Sequence, residues 1–386
     1  MALQNYTVEY GRASTGRTAL TNVQSITVNV GRQAQLDQYN ASSATITMRY
    51  PTGYASPIAA LVPGTPIRII NSADSRYVFF GRIDDVQATY GIPYAGGVGN
   101  ADYLTISCVG ALATWGRTGT SSYAIPADTI VGQMSTVYGS WTLLAAYYYS
   151  GGTSPSTSAT TVTSNFADWL NKVALTRNAR INDIDQPAIG LPAIDDYPLP
   201  ALYDPFYQQT ALTVQMSDTT NNATNQVYNQ ITFTSLADNF YTQAIVTPEA
   251  FGAQSASTGA NPLKTLTINT LSPSAASALD YANYLLNNYK TPKVAISSIS
   301  CLANAQNTMK LDDLGLGANT PGEQIGRILN VSFRGTTYPC IIEGYTFSAV
   351  PGEARYTFYV SAADLNAYLI LDNATFGKLD SNKLGY

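Results

Sequence analysis

The chain has 386 residues, too many for one ordinary core, and its 45% hydrophobic content is ample for several. Charged residues make up only 12%, about half the usual share, and the net charge is −5, so no basic stripe is available to attract nucleic acid. There is no histidine, which removes Ser-His-Asp and Cys-His nucleophile systems and HExxH zinc sites and leaves any catalysis to carboxylates, Tyr, Lys or Arg.

With so few charges, the polar surface must be made of Ser, Thr, Asn, Gln and the 28 tyrosines. Tyrosine buries a ring while keeping a hydroxyl for a partner, so this surface suits a protein that lives inside an assembly. A β-rich extracellular or virion protein without a special interface has the same composition. The opening "MALQNYTVEYGR" has no apolar signal-peptide core, and no run reaches membrane-spanning length. Cys108, Cys301 and Cys340 lie in strand-like runs with no close spacing, so they read as buried, reduced residues rather than a disulfide frame or a zinc site.

Strand patterns come first: Ser25 to Val30, Ser43 to Tyr50, Pro66 to Ile70, Tyr77 to Tyr90 and Asp102 to Leu112. Turn signals such as "PTG", "NSADS" and "AGGVGN" separate them, which predicts an antiparallel barrel or sandwich over 1–115. The pattern then turns helical. "ADTIVGQMSTVYG" places Ile130, Val131, Met134, Val137 and Tyr138 on one face, with Asp128 as the cap. "SNFADWLNKVALTRN" does the same with Phe166, Trp169, Leu170, Val173 and Ala174 behind Ser164. Loose polar stretches surround both, and 116–224 reads as an α+β insert. Strands return at Gln226 to Leu236 and Lys264 to Thr270. "SPSAASALDYANYLLNNYKTP" predicts a helix capped by Ser272, with Pro273 at its first position, a stripe of Leu279, Ala282, Leu286 and Tyr289, and a stop at Pro292. "KVAISSISCLA" is the next strand.

Three segments recur in the same order. "VPGTPIRII" resembles "TPGEQIGRIL", "YVFFGRIDDV" resembles "CIIEGYTFSA", and "DYLTISCVGAL" resembles "ARYTFYVSAADL". The pairing puts Gly81 and Gly344 at equivalent turns and suggests a duplication, two related barrels in one chain.

Four stretches carry a further resemblance: "ITVNVGRQAQLDQYNASSATITMRYPTG", "TPIRIINSADSRYVFFGRIDDV", "ASALDYANYLLNNYKTPKVAISSISCLA" and the ending "YLILDNATFGKLDSNKLGY". In this order they resemble tail hub proteins of long-tailed bacteriophages, also called baseplate hub-like or minor tail proteins. Nothing in 116–224 shares the likeness. The resemblance implies a β-rich α+β fold with two tube-like antiparallel β-barrels and α+β inserts. Its parts would be a first barrel (1–115), an insert (116–224), the first part of a second barrel (225–271), a helix–strand insert (272–317), the second part of that barrel (318–370) and a docking tail (371–386). It implies a homotrimer whose six barrels adapt the sixfold tail tube to the threefold tip of the virion, assembled in the host cytoplasm, with no cofactor. Its implied partners are the tail tube or distal tail protein, the tape measure protein and central fibre or spike proteins, with DNA passing through the lumen without specific binding. Phe376, Leu379, Leu384 and Tyr386 would dock the tail as a clip.

Two other classes compete. Asp183, Asp185, Asp195, Asp196 and Asp204 form an acidic cluster that could serve a carboxylate-based cell-wall hydrolase or hold Ca²⁺. Their spacing matches no calcium loop and no Glu accompanies them, so no catalytic, cofactor or metal residue is assigned. A receptor-binding tail adhesin would use Tyr and polar loops on glycans.

Overall fold

The computed structural model describes residues 3, 6–12, 15–50, 60–72, 76–90, 102–140, 148–150, 156–185, 199–203, 214–217, 225–234, 240–259, 264–292, 294–302, 325–326 and 328–362. The principal strands of its first part are β1 (Tyr6–Tyr10), β2 (Val23–Gly31), β3 (Ser43–Tyr50), β4 (Pro66–Asn71), β5 (Arg76–Thr89) and β6 (Asp102–Val109). Then come helices α1 (Ala111–Arg117), α2 (Ile130–Ser140) and α3 (Phe166–Arg177), and strands β7 (Arg180–Asp185) and β8 (Leu199–Tyr203). The last part holds β9 (Val214–Ser217), β10 (Gln230–Phe233), β11 (Gln243–Pro248), β12 (Gln254–Ser257), β13 (Thr265–Thr270), helix α4 (Ala275–Tyr289), β14 (Ile296–Leu302), β15 (Ile328–Phe333), β16 (Thr336–Val350) and β17 (Glu353–Ala362).

One sheet runs through both ends of the chain, in the order β9-β15-β16-β2-β3-β6-β5-β4-β1, with β17, β14 and β10 branching from β16. Strand β16 is the shared element. Its first residues pair with β15, its later ones with β2, and β17 covers its other edge. Alternate residues of these strands enter a single apolar core containing Ile26, Ile46, Ile106, Ile299, Phe347 and Phe358. Aromatic pairs fill its second half: Phe347 and Tyr356 lie 4.6 Å apart, and Tyr6 of β1 reaches Phe347 at 4.8 Å. Among the described residues no set of pairings closes into a barrel; the observed object is one open sheet with two similar halves.

The internal repeat is visible in the pairings, at a register different from the one the sequence suggests. β4–β5–β6 and β15–β16–β17 have the same antiparallel order. The long middle strand of each carries a bulge, between Ile83 and Asp85 in one and between Ile342 and Gly344 in the other. Just before the first strand of each triple, a glycine with positive φ donates to that isoleucine: Gly64 to Ile83 O and Gly326 to Ile342 O, each at 2.7 Å. Gly344 therefore corresponds to Asp85, not to Gly81, and both Gly81 and Gly344 lie inside strands rather than at turns. The third match, Ile106 with Phe358, holds: the row Ile26–Ile46–Ile106–Val86 repeats as Ile231–Ile299–Phe358–Tyr345.

Helices α1 to α3 pack around a second core with Trp115 and Trp169 stacked at 6.3 Å. The expected buried face of α3 is as read, but Asn165 rather than Ser164 is its cap, accepting from the Asp168 amide at 2.9 Å. At α2 the Thr129 hydroxyl, not Asp128, accepts from the Gly132 amide. Residues 111–112, read as strand, begin α1 instead. The strand expected over 264–270 forms as β13 but pairs with β11 in a separate three-stranded sheet. Helix α4 covers that sheet through Ala278, Ala282, Leu285 and Leu286. Its cap is Ser274, two residues later than read, because Ser272 instead bonds Thr270; Leu279 is exposed. The tail 371–386 lies outside the described residues.

Candidate functional site at the junction of the two halves

Glu343 is the extra residue of the bulge in β16, and its side chain is fully buried. It meets two guanidinium groups. Arg32, which follows β2, donates from Nε at 2.9 Å and lies 2.8 Å away through Nη2. Arg180, at the start of β7, donates from Nη2 at 2.6 Å. The Ser361 hydroxyl of β17 donates to the same carboxylate at 2.5 Å. One carboxylate thus joins the first half, the second half and the helical insert. Burial alone would raise its pKa, but Arg180 and then Arg32 outweigh burial and hold it at about 2. The Arg32 guanidinium also sits 4.6 Å over the Tyr39 ring and donates to Asp37 O at 3.0 Å.

The backbone is shaped to permit this. Gly31 faces Gly344 across the β2–β16 ladder. A Cβ on Gly344 would stand 2.5 Å from the carbonyl oxygens of Val30 and Arg32. Tyr345 adds a bond from its hydroxyl to Val78 O of β5, 2.9 Å.

On the side away from the core the sheet is covered by uncharged polar residues. Thr27 and Asn29 of β2, Thr45 of β3, Thr346 and Ser348 of β16 and Thr357 of β17 run across the junction without interruption. Charged residues stand at the rims, at Arg49, Asp85, Glu353 and Arg355. A cleft of about 570 Å³ opens on this face beside the junction, lined by Asn29, Gln33, Asn40, Thr346 and Tyr359 among others.

The acidic residues weighed in the sequence do not gather into a described site. Asp183 is 2% exposed. It accepts from the Ser42 amide at 2.9 Å, the Leu112 amide at 3.3 Å and the Ser42 hydroxyl. Burial pushes its pKa up. It fastens the insert to the first half and has no open face for substrate. Gly110 is required here, since a Cβ would stand 2.5 Å from the Asp183 carboxylate, and this contact is where β6 gives way to α1. Asp195, Asp196 and Asp204 lie outside the described residues. Among the described residues no cluster of three His, Cys, Asp or Glu could hold a metal ion, and no helix is long and apolar enough to cross a membrane. Cys108, Cys301 and Cys340 are free and buried.

No protein-family model and no curated protein sequence matches the chain. Solved structures do. A tail protein from Neisseria meningitidis superposes with a TM-score of 0.62 at 11% identity, covering 93% of this chain and 97% of that one. The 43 kDa tail protein of prophage MuSo2 from Shewanella oneidensis gives 0.60 at 10% identity, covering 92% and 98%. A component of the E. coli type VI secretion system, itself described as similar to the T4 bacteriophage tail proteins gp27 and gp5, gives 0.53 at 9% identity, covering 89% and 74%. The fold is that of phage tail proteins.

Within this tail-protein fold the residues that fasten the junction were not singled out by sequence reasoning. A signal was present. Glu343 stands alone in the otherwise uncharged run "YPCIIEGYTF", and a lone carboxylate in a buried strand requires a cationic partner. The sequence gives no means of knowing that the partners are 311 and 163 positions away.

Proposed function

We propose that the chain is a structural protein of the phage virion, a non-enzymatic tail-tip hub in which three copies form a ring of six similar β-units. Each half would complete a tube-like barrel on assembly, and the ring would adapt the sixfold tail tube to the threefold tip. Its neighbours would be the tail tube or distal tail protein, the tape measure protein and a central fibre or spike. The observation that carries this reading is the repeated strand triple with its repeated bulge, joined edge to edge inside one chain. A threefold ring can match a sixfold one only if each chain presents two similar units. The uncharged polar face supports a lumen role, since Ser, Thr and Asn offer phosphates no fixed cations and DNA could slide without sticking. Light scattering on the purified chain, with electron microscopy of the particles, tests it. Three chains per particle and a ring with six similar lobes are expected. A chain that stays monomeric and fails to bind tail tube protein would overturn it.

A further inference from the structure

Two stretches of strand edge in the large sheet have no partner strand among the described residues, and the molecule itself contains a model for what fills them. At the internal junction, β16 beyond its bulge pairs antiparallel with β2: Thr346 opposite Asn29, Phe347 opposite Val28, Ser348 opposite Thr27 and Ala349 opposite Ile26. The counterpart of this part of β16 in the first half is the end of β5, Gln87 to Thr89. The counterpart of β2 in the second half is β10, since Ile231 holds the place of Ile26. Among the described residues, no strand pairs with β5 beyond Ile83 on the side that β4 occupies, and β10 pairs with β14 alone.

Burial follows the same division. Phe347, Val28 and Ile26 are 1% exposed or less because the junction covers them, whereas their counterparts Ala88, Phe233 and Ile231 are only partly buried. Neither open stretch carries a charge or a proline, the usual devices that keep an edge strand from pairing.

We propose that the end of β5 in one chain pairs antiparallel with β10 of a second copy, in the register of the internal junction. That register sets Gln87 opposite Thr234, Ala88 opposite Phe233 and Thr89 opposite Thr232. The contact is head to tail, so each copy uses one edge and offers the other, and repetition closes a ring. The inference rests on the ring assembly proposed above and names the surface that builds it.

Paired cysteines test the register. Thr89 and Thr232 are both exposed, and directly opposed Cβ atoms in an antiparallel pair stand about 4.5–5.5 Å apart, close enough for oxidation to join them with small adjustment. The native cysteines are buried and give little background. The double variant Thr89→Cys/Thr232→Cys is expected to convert to a covalent trimer on mild oxidation and to return to single chains on reduction. Either single variant, and the off-register pair Asp85→Cys/Thr232→Cys, should remain unlinked. Trimers in light scattering that never cross-link through 89 and 232, or that link equally through 85 and 232, overturn the pairing while leaving the ring reading intact. A strictly monomeric chain overturns the pairing, and one that also fails to bind tail tube protein overturns the ring reading as well.

Discussion

Two acidic residues occupy the same place in the two halves and meet different fates. Asp84 and Glu343 are the extra residues of equivalent bulges. Glu343 is buried between Arg32 and Arg180. Asp84 is partly exposed and bonds Arg117 of α1 at 2.5 Å, with the Arg117 side chain 65% exposed. The difference lies in what packs against the bulge. A strand and an insert cover the second one, whereas the acid of the first is met by the end of a short helix and stays partly exposed. The same backbone device therefore yields a buried linchpin in one half and a surface ion pair in the other.

Glu343→Gln should break this contrast most severely. It leaves two buried guanidinium groups facing one neutral amide, and removing one partner of a buried ion pair costs about 3–5 kcal/mol. Chemical denaturation should show that loss, with Arg180→Met losing less because the Arg32–Glu343 pair remains and no charge is left unpaired. A loss below about 1 kcal/mol would mean that the junction tolerates uncompensated charge. Acid should act through the same group. The pKa of Glu343 in the folded state is depressed to about 2 from an ordinary 4.5, so its contribution is complete above 4.5 and disappears as pH falls towards 2. Asp183 has the opposite sign. Its pKa is raised by burial, so its protonation favours the folded state as pH falls towards its ordinary 3.8. Stability curves from pH 7 to pH 2 should drop less steeply at the acid end in Glu343→Gln than in the parent, and more steeply in Asp183→Asn.

Gly344→Ala is the next effect in size. The added methyl would meet backbone oxygens at 2.5 Å, which cannot rotate away, and overpacking of this kind costs about 1–3 kcal/mol. At the corresponding position in the first half the residue is Asp85, which already carries an exposed side chain, so Asp85→Ala should be silent in the isolated chain. Equal losses at 344 and 85 would show that the two bulges do not differ in how closely a strand approaches them.

Much of this was legible in the sequence, and the misses share a cause. Alternation along Ser43–Tyr50, Asp102–Val109 and Glu353–Ala362 announces half-buried strands because one face is apolar and the other mostly polar. The helical faces of α2 and α3 are equally direct. The repeat was visible in its order but misread in register, because "PG" and the glycines at 81 and 344 are more conspicuous than the positions that correspond, Gly64 with Gly326 and Ile83 with Ile342. Register in a sheet is decided by cross-strand partners, which local text does not contain. The Arg32–Glu343–Arg180 cluster and the Asp183 fastening are long-range for the same reason. Ser274 won the cap of α4 over Ser272 because Pro273 can precede the first turn as readily as open it.

The smallest effect is expected at the surface counterpart of the linchpin. Arg117 holds the pKa of Asp84 below its ordinary value mainly through their hydrogen bond, yet the Arg117 side chain is exposed and Asp84 partly so. Solvent and salt screen such a pair, and exposed ion pairs contribute about 0–1 kcal/mol. Asp84→Asn and Arg117→Ala should each shift stability by less than about 1 kcal/mol, and the double variant should lose little more than either single one. The decisive comparison is the salt dependence. Raising ionic strength to about 1 M, where the screening length falls to about 3 Å, should erase the Asp84 effect and leave the Glu343 effect nearly whole, since no ions enter the buried site. If the Glu343→Gln loss shrinks with salt as the Asp84→Asn loss does, the junction is open to solvent and the two acids are equivalent after all. If Asp84→Asn costs as much as Glu343→Gln in the assembled particle but not in the isolated chain, a neighbouring copy covers the first bulge just as β2 and the insert cover the second.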